Sequence, residues 1–348
     1  MPNAPRLAAI ATAVPPYAVG QAEVTRRAAL LYDELGAADL DRMMPVFANA
    51  GIERRYSCVP IDWYETPRGW TERNALYLEH AAALLEQAAR DCLDRAGLAV
   101  REIDAVVAVS TTGIATPSLD ALLSHRMGMR PDVKRLPIFG LGCAGGVLGL
   151  ARAADWARAM PGANVLFLVV ELCALSFRRN DTSKSNIVAT ALFGDGAAAA
   201  IISGDGDGPT FGPGGEHLFP ASLDVMGWDV GDDGLRAIFS RDIPQLVRSE
   251  MRTATGIFLA RHGLDLYDIN RFICHPGGTK VIAALEEAFG LAEHALAVER
   301  AVLRDHGNMS AATLLFVLER ALRQKPRGKL LLTAMGPGFT AGFQLLQA

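Results

Sequence analysis

Leu93-Asp94-Arg95-Ala96-Gly97-Leu98, then four residues, then Ile103-Asp104-Ala105-Val106-Val107, returns as Leu259-Ala260-Arg261-His262-Gly263-Leu264, four residues, and Ile269-Asn270-Arg271-Phe272-Ile273, an offset of 166 (259 − 93). Each copy has a helical stretch ending on glycine, which takes a left-handed C-cap without a Cβ penalty, and then an apolar run of strand character. The repetition predicts a duplicated fold. With one residue of slippage the offset lays Gly142-Cys143-Ala144 on Gly307-Asn308-Met309 (308 − 143 = 165), each opening a small-residue helix. A cysteine and an asparagine are thereby expected at equivalent helix N-termini. The second copied strand ends in Cys274-His275-Pro276-Gly277-Gly278, so Cys143, His275 and Asn308 are expected to meet at one pseudo-two-fold interface.

Working outward, Thr71 to Gly97 reads as a helix with Thr71 as N-cap and Gly97 as C-cap. Ile103–Val109, Val165–Val170 and Leu330–Ala334 are near-continuous Val, Ala and Leu, as in strands buried on both faces by helices. The fold class is therefore α/β. The Gly- and Asp-rich stretch from Gly204 to Glu216 is the clearest break in composition, and it divides the chain into halves 1–205 and 206–348. Asp205, Asp207 and Glu216 have the first, third and twelfth spacing of a calcium loop. Pro209 and Thr210 stand where an oxygen ligand and the obligatory glycine belong, so the stretch is read as a plain surface loop and no metal site is expected.

Composition excludes several classes. Half of the 348 residues are hydrophobic, enough for a large core, and disorder is not expected. A net charge of −4 with scattered Lys and Arg offers no stripe to neutralise a phosphate backbone, which argues against nucleic acid. The five cysteines (58, 92, 143, 173 and 274) are odd in number and form no C-x-x-C pair, so neither a disulfide framework nor a zinc site is expected, and a reducing cytoplasm fits best. Pro15 and Pro16 interrupt the apolar run from Leu7 too early for a signal peptide, leaving a buried first strand as the reading. No stretch approaches the roughly 18 apolar residues of a membrane span.

Glycines on both sides of Cys143 permit a tight strand-to-helix turn whose free N–H groups can face an oxyanion. A helix N-terminus and a nearby imidazolium both favour the anion, so a thiolate with a pKa below about 8.5 is expected. Cys with His and Asn serves two chemistries. In thioester or amide hydrolysis the Asn orients the His, and in thioester condensation His and Asn both donate to a carbonyl that becomes an enolate.

Five blocks decide between them. Gly142-Cys143-Ala144-Gly145-Gly146, Phe193-Gly194-Asp195-Gly196-Ala197-Ala198-Ala199, His275-Pro276-Gly277-Gly278, Gly307-Asn308-Met309-Ser310 and Met335-Gly336-Pro337-Gly338-Phe339 together resemble the type III polyketide synthases, the chalcone synthase family, over essentially the whole chain. The resemblance implies a thiolase-like fold, a duplicated αβαβα layering, and a homodimer. It implies that Cys143 takes an acyl group from an acyl-CoA starter, and that His275 and Asn308 bind malonyl-CoA as it loses CO₂. The enolate attacks the Cys143 thioester, the chain grows over several rounds, and the product cyclises, with no permanently bound cofactor. Phe193 matches one of two aromatic gate residues and Ala237 replaces the other, which is expected to widen the cavity. Thr111, Cys173, Ser176 and Ser310 match further cavity positions, and Met335, Gly336 and Pro337 belong to a matching loop. The register around Ala237 is closest to bacterial enzymes that make alkylresorcinols or alkylpyrones from long-chain fatty acyl-CoA.

In the coenzyme A segment Pro45 and Asn49 replace two basic residues and Arg42 remains, so Lys280, beside Gly277 and Gly278, is expected to supply charge for the pyrophosphate. Ketoacyl synthase III enzymes share the Cys-His-Asn set and are the alternative, with a single condensation. A Cys-His-Asn thioester hydrolase and a non-catalytic acyl-binding protein are further readings.

Overall fold

The computed structural model describes residues 4–32 and 42–348. Its strands are β1 (Arg6–Ala13), β2 (Tyr17–Gly20), β3 (Arg54–Ser57), β4 (Ala105–Val109), β5 (Lys134–Ile138), β6 (Val165–Leu172), β7 (Asp195–Ser203), β8 (Thr210–Leu218), β9 (Met226–Gly231), β10 (Gly234–Phe239), β11 (Arg271–Cys274), β12 (Lys329–Gly336) and β13 (Thr340–Gln347). Nine of them form one sheet in the order β11-β12-β13-β8-β1-β7-β6-β4-β5.

Two copies of one topology meet in that sheet. In the first half β4 and β6 are parallel, while β7 runs antiparallel to both β6 and β1. In the second half β11 and β12 are parallel, while β13 runs antiparallel to both β12 and β8. The copies are joined between β1 and β8 through the pair Arg6–Thr210. The repeated sequence stretches have the same local form. Leu98 N donates to Leu93 O and Leu264 N to Leu259 O, both at 3.1 Å, over Gly97 and Gly263 at φ +67° and +69°. Gly97 is the C-cap of the helix Trp70–Ala96, while Gly263 lies just past Arg261, the C-cap of the helix Ile243–Ala260. The N-cap of the first helix is Gly69 rather than Thr71: Thr71 lies inside the first turn, and no side chain caps that end.

Alternation along the strands separates the layers. On β6, Val165, Phe167 and Val169 face a central cluster with Val147 and Leu150 of the helix Gly145–Ala159 and Leu314 and Leu318 of the helix Ala311–Leu322. Leu330, Leu332 and Ala334 of β12 enter the same cluster from the other side. Leu166, Leu168 and Val170 face the opposite way, onto Leu84, Leu85 and Leu123 of an outer helical layer. Leu331, Phe343 and Leu345 likewise meet Val247, Met251 and Ile282. The result is αβαβα, with two helices buried between sheet faces. The second half has no counterpart of β5 among the described residues; on that edge of β11, Cys274 N donates instead to the buried Glu299 at 3.1 Å. Glu216, the last residue of the calcium-like spacing, lies in β8 paired with Arg152 at 2.7 Å.

Candidate active site

Close contact between the central helices brings the cysteine and asparagine together. A Cβ on Gly146 would lie 2.3 Å from Ala311 O, so only glycine lets the two helix starts approach this closely. Cys143, in the turn Gly142–Ala144 just before the first helix, then donates its thiol to Ser310 Oγ at 3.5 Å. Gly142 has φ +47°, and a Cβ there would meet Pro337 Cδ at 2.6 Å. Gly336 has the same fit, since its Cβ would lie 2.3 Å from Leu141 O. Gly336 and Pro337 thus press on the Cys143 turn, while Met335 lines the cavity. Three of the N–H groups around this turn have partners. Gly142 N donates to Thr111 Oγ1 at 3.2 Å, Ala144 N to Leu141 O, and Gly145 N to Gly142 O.

His275 follows β11, held where its N–H donates to Thr333 O at 2.9 Å. Its imidazole is buried and neither ring nitrogen has a partner. Asn308 is fixed at both ends of its carboxamide: Oδ1 accepts from Ser310 N at 2.9 Å and Nδ2 donates to Gly277 O at 3.2 Å. That pairing orients the amide and leaves the second N–H uncommitted. Ser310 sits at φ +46°, a strained conformation for a residue with a Cβ, at the junction of Asn308 and the helix Ala311–Leu322. Cys143, His275 and Asn308 all line one cavity of about 350 Å³, together with Leu192, Met226, Phe239, Gly277 and Gly278.

The electrostatics correct the thiolate expectation. Burial pushes the Cys143 thiol up to about 12, against a smaller opposing effect of the Ser310 hydrogen bond and with Glu171 adding to the rise. Burial also lowers His275 to about 4, so the imidazole is neutral near pH 7 and no imidazolium stabilises an anion beside it. At this buried thiol desolvation outweighs the helix N-terminus.

Ala237 on β10 is registered with Trp228 on β9, and both pack against Phe193, Cys173 and Ala189. Trp228 meets Phe193 edge-on at 6.3 Å between centroids, and Phe239 meets it at 5.6 Å. Beyond Phe193 lies a smaller pocket of about 80 Å³, with Cys173, Ser176 and Ala189 on one side and Val19, Val24, Ala28 and Phe177 on the other. At the mouth of the larger cavity Lys280 is exposed in the first turn of the helix Thr279–Phe289. Arg42 is exposed before the helix Pro45–Ala48 and is not among the lining residues.

Residues 63–206 match the family model of the chalcone and stilbene synthase N-terminal domain, and residues 214–347 match that of the C-terminal domain. The chain belongs to the chalcone and stilbene synthase family. It is 42% identical over 351 residues to a 1,3,6,8-tetrahydroxynaphthalene synthase of Streptomyces peucetius subsp. caesius, covering 98% of this chain and 92% of that protein. It is 39% identical over 349 residues to a putative chalcone synthase of Bacillus subtilis (strain 168), with 95% of both chains covered. The crystal structure of 1,3,6,8-tetrahydroxynaphthalene synthase from Streptomyces coelicolor A3(2), a bacterial type III polyketide synthase, superposes with a TM-score of 0.93 at 29% identity over 98% of this chain and 99% of that one. The fold is the thiolase-like fold of the type III polyketide synthases, which are acyltransferase-type condensing enzymes acting on coenzyme A thioesters.

Within this family site, sequence reasoning missed three residues. Glu171, fully buried on β6, accepts from Thr111 N at 3.0 Å and from Thr112 Oγ1 at 2.9 Å, with its other oxygen unpartnered. Burial raises its carboxyl to about 8. The signal was available, as Glu171 is the sole charge in the run Val165–Leu172. Arg241 lines the cavity near Lys280 but looks in sequence like any surface arginine. Trp228 is recognisable only through its register with Ala237.

Proposed function

We propose that this chain joins an acyl-CoA starter to malonyl-CoA by decarboxylative Claisen condensation, residues 1–205 supplying Cys143 and residues 206–348 supplying His275 and Asn308. The observation that carries the reading is the shared cavity, in which a thiol, a partnerless imidazole and an oriented carboxamide converge from three elements of the two halves. Cys143 attacks the starter thioester carbonyl while its proton passes to the free nitrogen of His275, and coenzyme A leaves as the C–S bond breaks. Malonyl-CoA then loses CO₂, and the electron pair of the broken C–C bond moves onto the thioester oxygen. The second Nδ2–H of Asn308 and an N–H of His275 donate to that oxyanion, where fixed donors in a dry site act most strongly. The enolate carbon attacks the Cys143 thioester and releases the sulfur for the next round. Each step balances without an external electron source, so the reading requires no permanently bound cofactor. Lys280 and Arg241 at the mouth meet the coenzyme A phosphates.

For the starter we infer a long aliphatic acyl group that leaves the larger cavity past Phe193 toward the apolar side chains of Val24 and Phe177, with an alkylpyrone or alkylresorcinol as product. A second reading, an aromatic product primed by malonyl-CoA itself, is favoured by the bulk of Trp228 in the gate and by the 42% identity to a tetrahydroxynaphthalene synthase. The active form is a homodimer joined at β5, an edge strand followed by the exposed Phe139. No helix among the described residues is long and apolar enough to cross a membrane, and all five cysteines are free and buried, which suits a reducing cytoplasm.

The test is radiolabelled malonyl-CoA with a series of acyl-CoA starters. CO₂ release with growth beyond one extension supports the reading. Growth stopping at one extension identifies a single-condensation enzyme, and free acid without CO₂ identifies a hydrolase. Maximal turnover without any starter supports the malonyl-primed reading.

A further inference from the structure

The helix Lys184–Leu192 ends directly at the gate residue Phe193, and no glycine caps it. A helix end leaves carbonyls that need donors. Here they are divided between two partners. Arg55, fully buried on β3, donates Nη1 to Thr190 O at 2.7 Å and to Phe193 O at 2.8 Å, and Nη2 to Ala191 O at 2.6 Å and to Gln21 Oε1. The one carbonyl it skips, Leu192 O, accepts from the backbone N–H of Asn308 at 2.8 Å, and Gly194 N returns a bond to Asn308 O at 3.0 Å. The backbone of Asn308 is therefore registered on the segment that one guanidinium holds. Gly194 and Gly307 pack on the stem of the same side chain, since a Cβ on either would lie 3.3 or 3.4 Å from Arg55 Cβ.

Burying a cation is costly unless its donors are met, and a guanidinium alone has the fan of donors to span three carbonyls. Burial lowers Arg55 to about 10, leaving it charged at neutral pH, with the buried Asp195 among the groups favouring the charge. We propose that Arg55 is a positioning residue of the condensing reaction, fixing the Leu192–Gly194 segment so that the Asn308 carboxamide and the Phe193 ring face the cavity in their working geometry. The inference rests on the enolate-stabilising role given above to Asn308. It separates two steps of the reaction: acylation of Cys143 does not use Asn308, whereas malonyl-CoA decarboxylation does.

The experiment compares Arg55→Ala, Arg55→Lys and Asn308→Ala, each measured for starter loading by intact mass and for malonyl-CoA decarboxylation with kcat and KM resolved. For Arg55→Ala the expected result is a fall in decarboxylation kcat of about tenfold or more with little change in KM, the scale of a small misplacement of a reacting group. Starter loading is retained, added methylguanidinium partly restores kcat, and Arg55→Ala in an Asn308→Ala background costs little more. Arg55→Lys, which keeps the charge but not the fan, falls between. If Asn308→Ala leaves decarboxylation unchanged, the reading of Asn308 fails. If Asn308→Ala slows it while both Arg55 variants run at the native rate, the positioning role is overturned and the reading of Asn308 stands. Parallel loss of loading and decarboxylation in both Arg55 variants, without rescue, also overturns it, because Arg55 then only maintains the fold.

Discussion

Trp228 and Phe193, 35 residues apart in sequence (228 − 193), meet edge-on at 6.3 Å, with Trp228 the cross-strand neighbour of Ala237. Under the proposed long-chain reading, chain length in the product depends on the indole. Trp228→Ala is expected to shift kcat/KM toward palmitoyl-CoA relative to hexanoyl-CoA by about tenfold or more, because each newly buried CH₂ contributes about 0.8 kcal/mol. Ala237→Phe, placed against the same cluster, overpacks it and shifts the ratio the other way. An unchanged ratio in both variants means that the acyl chain does not pass this hairpin.

Cys143→Ala is expected to abolish covalent starter loading, read as the missing acyl mass on intact protein, with the fold retained by circular dichroism. The substitution removes one sulfur, and the turn stays pinned by Thr111 and Pro337.

Asn308→Ala removes one oxyanion donor and should slow malonyl-CoA decarboxylation by about a hundredfold or more. Some stability is lost too, because Ser310 N and Gly277 O lose their partner. Native-rate CO₂ release from the folded variant excludes Asn308 from the chemistry.

Glu171 imposes a pH dependence on stability. Its carboxyl is raised from 4.5 to about 8, so between these values the folded chain holds a proton that the unfolded chain has released. Stability therefore falls as pH rises through that window. Glu171→Gln should flatten this fall in chemical denaturation at pH 5 and pH 8. His275, lowered from 6.5 to about 4, acts on the acid side: the unfolded chain gains the proton first, and stability is lost as pH falls through that range.

Phe139→Asp places a charge beside the edge strand β5. Sedimentation should show a shift from dimer toward monomer, while a native sedimentation coefficient locates the interface elsewhere.

The duplication was legible because a Gly C-cap and a strand run carry strong local signals, and Gly97 and Gly263 hold the same turn in both halves. The three central residues were legible for a related reason, since each sits at the end of an element. The protonation of Cys143 was not, because it depends on how thoroughly distant segments exclude water from the sulfur. Nor was the packing at Ala237: the sequence shows a small residue, while its bulky neighbour Trp228 comes from the strand opposite. Nor was the role of Arg55, whose carbonyl targets lie 135 residues away and farther.

Among the described residues the second half lacks an equivalent of β5, and Glu299 occupies Cys274 N at that margin, whereas no described side chain bonds the backbone of Lys134–Ile138 at the β5 margin. A sheet with two such margins can add copies indefinitely in both directions; with one, a second copy attached there by a two-fold axis consumes the last free margin of both. If two chains pair at β5 as proposed, growth along the sheet ends there, and the asymmetry between the halves sets the assembly at two.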